Sequence, residues 1–145
     1  MDRIRPWLYI GKYRHTLNRR LLLAHKIQAV LQLAAWVPYP DLPALFLPVE
    51  DFAPIPPELL RQGVDFILTH KRQDHIVFVA CGAGINRSTA FCVAALKEEE
   101  GLGLLEAFQA VKKNHSHAMP HPPVWASLCD YYGDHVPFDT LYAWP

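Results

Sequence analysis

Three cysteines, an odd number without close pairing, are too few for a disulfide framework and point to a reducing compartment. Neither sign of charge is in excess. Fourteen Lys and Arg balance fourteen Asp and Glu, which argues against bulk affinity for nucleic acid or a membrane surface. No run approaches the roughly 18 apolar residues of a membrane span. The opening Met1-Asp2-Arg3-Ile4-Arg5-Pro6 has no apolar core of signal-peptide length. No internal repeat, low-complexity tract or interdomain linker divides the chain. The expectation is a single cytoplasmic domain spanning residues 1–145, monomeric and long enough to bury a proper core.

What is present is organised around one stretch. Ile76, Val77, Phe78 and Val79 form a β-favouring run with no polar break, as in a strand covered on both faces. A short loop follows, and then Ala90, Phe91, Val93, Ala94, Ala95 and Leu96, apolar nearly all round, predict a buried helix. A loop feeding a helix N-terminus turns backbone N–H groups inward, where the helix dipole adds partial positive charge. Gly82 and Gly84 let the chain curl, and Arg87 can fork two hydrogen bonds onto an oxyanion. Cys81 stands where the same field favours a thiolate over a thiol. A thiolate facing a tetrahedral anion is equipment for covalent phosphoryl transfer.

The remaining chain alternates strands with helices. Strands are expected at 7–11, 27–33 and 45–49, the last near a sheet edge or strand end because of Pro48. Asn18 offers an N-cap to a helix through Ala24, and the proline-bearing stretch 34–43 reads as an irregular connection. An acidic, proline-stiffened loop at 50–57 precedes a helix whose Leu60, Val64, Ile67 and Leu68 share one face. Leu104, Phe108 and Val111 mark another helix, and 121–132 a last one carrying Trp125, Leu128 and Tyr132. This pattern predicts an α/β domain with a mainly parallel central sheet of about four to five strands flanked by helices. Cys81 would lie at the carboxyl end of a strand, where such sheets bind ligands.

From Cys81 to Ser88 the chain resembles the cysteine-dependent phosphatases, whose signature is Cys, five residues, Arg, then Ser or Thr. Cys-Gly-Ala-Gly-Ile-Asn-Arg-Ser is most similar to the small atypical dual-specificity protein phosphatases. The opening Leu8-Tyr9-Ile10-Gly11, the Leu47-Pro48-Val49-Glu50-Asp51 segment, and Leu104, Glu106, Ala107, Phe108, Val111 and Lys112 extend the likeness from about Ile4 to Gly133. The resemblance implies Cys81 as the nucleophile that forms a phosphocysteine. It implies Arg87, with the amides of Gly82, Ala83, Gly84, Ile85, Asn86 and Arg87 itself, as the phosphate-binding loop. Ser88 would hydrogen-bond Cys81 and help it leave. Asp51 would be the general acid and then base, with Glu50 as the alternative if the preceding strand runs one residue further.

No metal or organic cofactor is implied, and the implied partner is a phosphoprotein or phosphopeptide carrying phosphotyrosine or phosphoserine/threonine. Residues 82–86 contain no Lys or Arg, unlike relatives that act on inositol lipids, and nothing interleaves aromatic with basic residues as RNA binding would require. One departure stands out. Ala80 occupies the place of the histidine that the family usually carries before the cysteine, so weakened catalysis, or a phosphate-binding module without useful turnover, are the outcomes to separate.

Other residues invite a role. His115, His117 and His121 lie close enough to suggest a metal site or simply a polar connection between helices. Cys92 could trap Cys81 as a disulfide or merely pack in its helix, and Cys129 reads as structural. Trp7, Trp36, Trp125 and Trp144 read as packing residues. Seven of the fourteen cations precede residue 27, either a solvated face or a basic rim for an anionic substrate.

Overall fold

The computed structural model describes residues 1–143. Its centre is a five-stranded sheet in the order β1-β2-β5-β3-β4, formed by Asp2–Arg5, Leu8–Lys12, Val77–Cys81, Ala29–Gln32 and Ala44–Phe46. Three neighbouring pairs are parallel, and only β1 against β2 is antiparallel. The expected mainly parallel α/β sheet is therefore the one the chain builds.

β5 lies in the middle and is buried along its whole length. Its alternation divides the interior in two. Val77, Val79 and Cys81 face the larger core, which is completed by the helices α3 (Pro57–Arg72), α4 (Arg87–Glu100), α5 (Leu104–Asn114) and α6 (Pro122–Tyr132). Phe78 and Ala80 face a smaller core with Val30 and Ile27, covered by Leu22 of α2 (Arg19–Ala24) and by Val37, Tyr39 and Leu42 of the connection that follows β3. Asn18 caps α2, its side chain accepting from the Leu21 N–H at 3.0 Å. All four apolar positions predicted for α3 are buried, as are Leu104, Phe108 and Val111 of α5.

α4 passes through the larger core, with every residue from Ser88 to Leu96 buried. It packs so closely on α3 that a Cβ added to Gly63 would overlap a ring carbon of Phe91. Gly63→Ala is therefore expected to lower stability by about 1–3 kcal/mol through overpacking. Thermal or denaturant unfolding of the variant tests this, and an unchanged midpoint would mean that the helices separate at no cost.

Three corrections to the sequence expectations follow from local physics. β1 was not anticipated, because only Ile4 of its four residues is buried and the rest read as a polar terminus. The strand expected at 45–49 pairs only as β4, Ala44–Phe46: the Leu47 N–H still reaches Gln32 O at 3.0 Å, but Pro48 has no N–H with which to continue. The short helices α1 (Tyr13–Thr16) and α7 (Asp139–Tyr142) carry too few residues for a period to register. Of the tryptophans, Trp125 is in the core, Trp7 packs on its margin, Trp36 is exposed beside Phe46, and Trp144 lies outside the described residues. Among the described residues, no helix is long and apolar enough to cross a membrane.

Candidate active site

The loop 82–86 leaves the carboxyl end of the central strand β5 and enters α4 directly, so a helix N-terminus lies behind it. Gly84 has φ +70°, and a Cβ there would approach the Gly11 carbonyl oxygen to 2.8 Å. Conformation and space thus both demand glycine at this turn. Cys81 is 2 % exposed at the strand end, its Sγ 3.2 Å from Ser88 Oγ.

Arg87 is fixed along one edge. Its Nη1 donates to the carbonyls of Leu33 at 3.1 Å and Val49 at 3.0 Å, joining the exits of β3 and of the β4 segment. The other edge is not spent. Nη2 lies close to the start of the loop, where a Cβ on Gly82 would come within 3.3 Å of it. Nε is buried without a hydrogen-bond partner, although Asp51 Oδ1 is 3.4 Å away. A buried guanidinium N–H left unpaired is costly, and an anion seated in the loop would relieve that cost.

The acidic loop is tied down by Asn86. Both hydrogens of its amide go to Asp51, one to the backbone carbonyl and one to Oδ1 at 2.9 Å. Its own Oδ1 accepts from the His121 N–H at 2.6 Å. Read from sequence, Asn86 is a loop residue acting through its backbone. Its side chain instead joins three segments, and nothing in local spacing pointed to residues 51 and 121. Glu50, the alternative acid, is exposed, whereas Asp51 stands against Arg87.

Asp51, Phe52, Cys81, Ala83, Ile85, Asn86 and His121 line a cavity of about 220 Å³. Two larger surface cavities, about 360 and 310 Å³, lie away from the loop. The rim here is apolar and aromatic: Phe52 is 73 % exposed, and the His121 ring lies against it at 4.4 Å between centroids. The three clustered histidines do not converge. His121 faces Phe52, and His115 turns to Asp2 and Gly84. Among the described residues, no three His, Cys, Asp or Glu side chains gather into a metal-holding group.

Cys92 lies fully buried in α4, and burial, with the nearby Cys81 as a second cause, pushes its thiol up. That makes it a poor attacking group in thiol–disulfide exchange. Cys129 is pushed up chiefly by burial as well. The early cations are partly absorbed in surface pairs, Arg5 with Glu100 and Arg19 with Asp41. Lys12 is the one placed in register beside Cys81.

A buried thiol at the end of a parallel strand, a glycine-curled turn into a helix N-terminus and an arginine with an unpaired N–H thus stand close together. Residues 8–134 match the family model described as the dual specificity phosphatase catalytic domain, and the chain belongs to that family of protein phosphatases. Human dual specificity protein phosphatase 16 is 32% identical over 138 residues, which are 89% of this chain and 20% of that protein. Human dual specificity protein phosphatase 14 is 30% identical over 128 residues, 86% of this chain and 65% of that protein. The chain thus spans a fifth of the first relative and just under two thirds of the second. Human DUSP28 superposes with a TM-score of 0.84 at 26% identity, covering 99% of both chains. A mouse putative dual specificity phosphatase complexed with zinc tungstate gives 0.82 at 29%, covering 98% of this chain and 88% of that one.

Proposed function

We propose that this chain hydrolyses phosphotyrosine and/or phosphoserine/threonine esters of a phosphoprotein or phosphopeptide through a phosphocysteine, with residues 81–88 as the working loop. The observation that carries the reading is the buried, unpaired Nε of Arg87, 3.4 Å from the Asp51 carboxyl that lines one cavity with Cys81. In the first step the Cys81 thiolate attacks phosphorus. The S–P bond forms as the P–O bond to the leaving group breaks, and Asp51 gives its proton to the departing oxygen. Arg87 and the amides of 82–87 hold the equatorial oxygens throughout. In the second step water attacks phosphorus, the Asp51 carboxylate takes its proton, and the S–P bond breaks to release inorganic phosphate. The Ser88 hydroxyl, 3.2 Å from Sγ, donates to the returning thiolate. No metal enters either step, so a chelator should leave turnover intact.

Tungstate is a tetrahedral oxyanion, and the 29%-identical mouse relative is complexed with zinc tungstate, which supports an oxyanion as the class of ligand for this cradle. The rim of Phe52, Ile85 and His121 offers apolar contact to an aryl leaving group. A second reading, a phosphate-binding module with negligible turnover, rests on Ala80, a buried methyl in the smaller core that can brace nothing through a hydrogen bond.

Asp51→Asn separates the acid role from mere binding. It is expected to slow release of a poor leaving group, such as the tyrosine of a phosphotyrosyl peptide, by about 10²- to 10⁴-fold. A nitrophenyl ester, whose leaving group needs little protonation, should lose far less. An unchanged rate with the peptide would remove Asp51 from the mechanism.

A further inference from the structure

A buried histidine outside the machinery above grips the phosphate loop. His115, at the C-terminal end of α5, is 7% exposed, and its ring spans two acceptors. Nδ1 is 2.6 Å from Asp2 Oδ2, and Nε2 is 2.5 Å from the Gly84 carbonyl oxygen. A carbonyl and an ionised carboxylate accept but do not donate. A neutral imidazole has one N–H, so it would satisfy one neighbour and set a lone pair against the other. Only a ring that donates from both nitrogens satisfies both.

The Gly84 carbonyl is the point of leverage. Across a trans peptide the C=O and the following N–H point in opposite directions. Holding the Gly84 carbonyl outward on His115 therefore aims the Ile85 N–H toward the inside of the loop. The next peptide is held in the same sense, because the Ile85 carbonyl accepts from Thr89 Oγ1 at 2.6 Å and from the Met119 N–H at 3.1 Å. Among the described residues, no other side chain hydrogen-bonds the Gly84 carbonyl.

We propose that His115, braced from behind by Asp2, is a positioning residue that sets the phosphate loop by turning the Ile85 N–H onto the bound anion. The inference rests on the phosphate-cradle reading of residues 81–88. Without the His115 N–H the Gly84 carbonyl has no side-chain donor among the described residues. The charged and titratable neighbours are Asp2 on β1, His117 with its ring 6.3 Å away, and Lys112, whose ammonium is engaged by the Ser116 and Ala118 carbonyls. His15 of α1, with Lys12, Arg14 and the terminal ammonium, shares the surroundings of Asp2, and burial first and those cations second hold His15 below the usual imidazole range.

The test is binding of inorganic vanadate to the full chain, with ¹⁵N-labelled histidine rings, for wild type, His115→Gln and Asp2→Asn. In the wild-type vanadate complex the His115 Nε2 should carry the proton that it donates to the Gly84 carbonyl. His115→Gln should bind about tenfold more weakly, the loss of one hydrogen bond to the loop. Asp2→Asn leaves the ring an acceptor of the same shape, so it should lose less than His115→Gln. A His115 Nε2 without a proton in the complex overturns the proposal even if His115→Gln fails to fold. Wild type that binds vanadate but hydrolyses nothing would sink the phosphatase reading and leave the brace standing. Turnover by wild type with unchanged binding by His115→Gln would do the reverse.

Discussion

Cys81→Ser is expected to abolish hydrolysis of a phosphotyrosyl peptide, a loss on the order of 10⁴-fold or more, while the loop goes on binding the anion. The reason lies in which atom changes and which do not. Sγ sits at the end of β5, almost fully buried, with Ser88 Oγ as its hydrogen-bond neighbour, and a serine oxygen can occupy that place and keep that bond. The backbone of residues 82–86 and the guanidinium of Arg87 do not depend on the sulfur. What would be lost is the proposed nucleophile, because a serine hydroxyl is far less acidic than a thiol and far less nucleophilic when protonated. Hydrolysis between about pH 5 and 8, together with vanadate binding, measures both halves. With a nitrophenyl ester, whose departure needs little protonation, quenching Asp51→Asn during turnover should trap one phosphoryl group on Cys81, because release of the intermediate still needs the carboxylate. Turnover by Cys81→Ser within a hundredfold of wild type would place the nucleophile elsewhere. Inert wild type with intact vanadate binding would favour the binding module instead.

Much of this was legible in the chain because it is written in contiguous residues. The β5–loop–α4 unit announces itself through an unbroken apolar run, two glycines and an arginine, and α3 through the spacing of Leu60, Val64, Ile67 and Leu68. The family signature then picks out Cys81, Arg87 and Ser88, and the wider resemblance Asp51, which the fold brings to one cavity or its immediate backing. What could not be read were contacts between residues far apart in sequence. Asn86 reaches 35 positions in each direction to hold Asp51 and His121. His115 joins Asp2 to Gly84, and Asp2 belongs to a strand too short and polar to be recognised. Each depends on the packing of whole elements, so no local pattern encodes it. The missed polar contacts also surround the predicted site, which is where buried hydrogen-bonding groups must be satisfied one by one.

Arg87→Lys should be nearly as damaging as loss of the nucleophile, by about 10³- to 10⁵-fold in kcat/KM, the range for a cationic clamp on a transferring phosphoryl group. On the proposed reading Arg87 performs two jobs at once. Nη1 closes the carbonyls of Leu33 and Val49, and the opposite edge is left for the anion. A lysine has one compact ammonium on a flexible stem and cannot span both. Two buried carbonyls without a donor cost about 1–3 kcal/mol each, so the ammonium is expected to settle on them and leave the cradle. The variant should then melt close to wild type yet bind vanadate poorly and turn over slowly. Arg87→Ala removes both jobs and should lose stability as well as activity, and the contrast in melting temperature between the two variants isolates the structural edge. If Arg87→Lys keeps kcat/KM within tenfold of wild type, the anion is held by the loop amides alone, and the unpaired Nε is not the feature that defines this site.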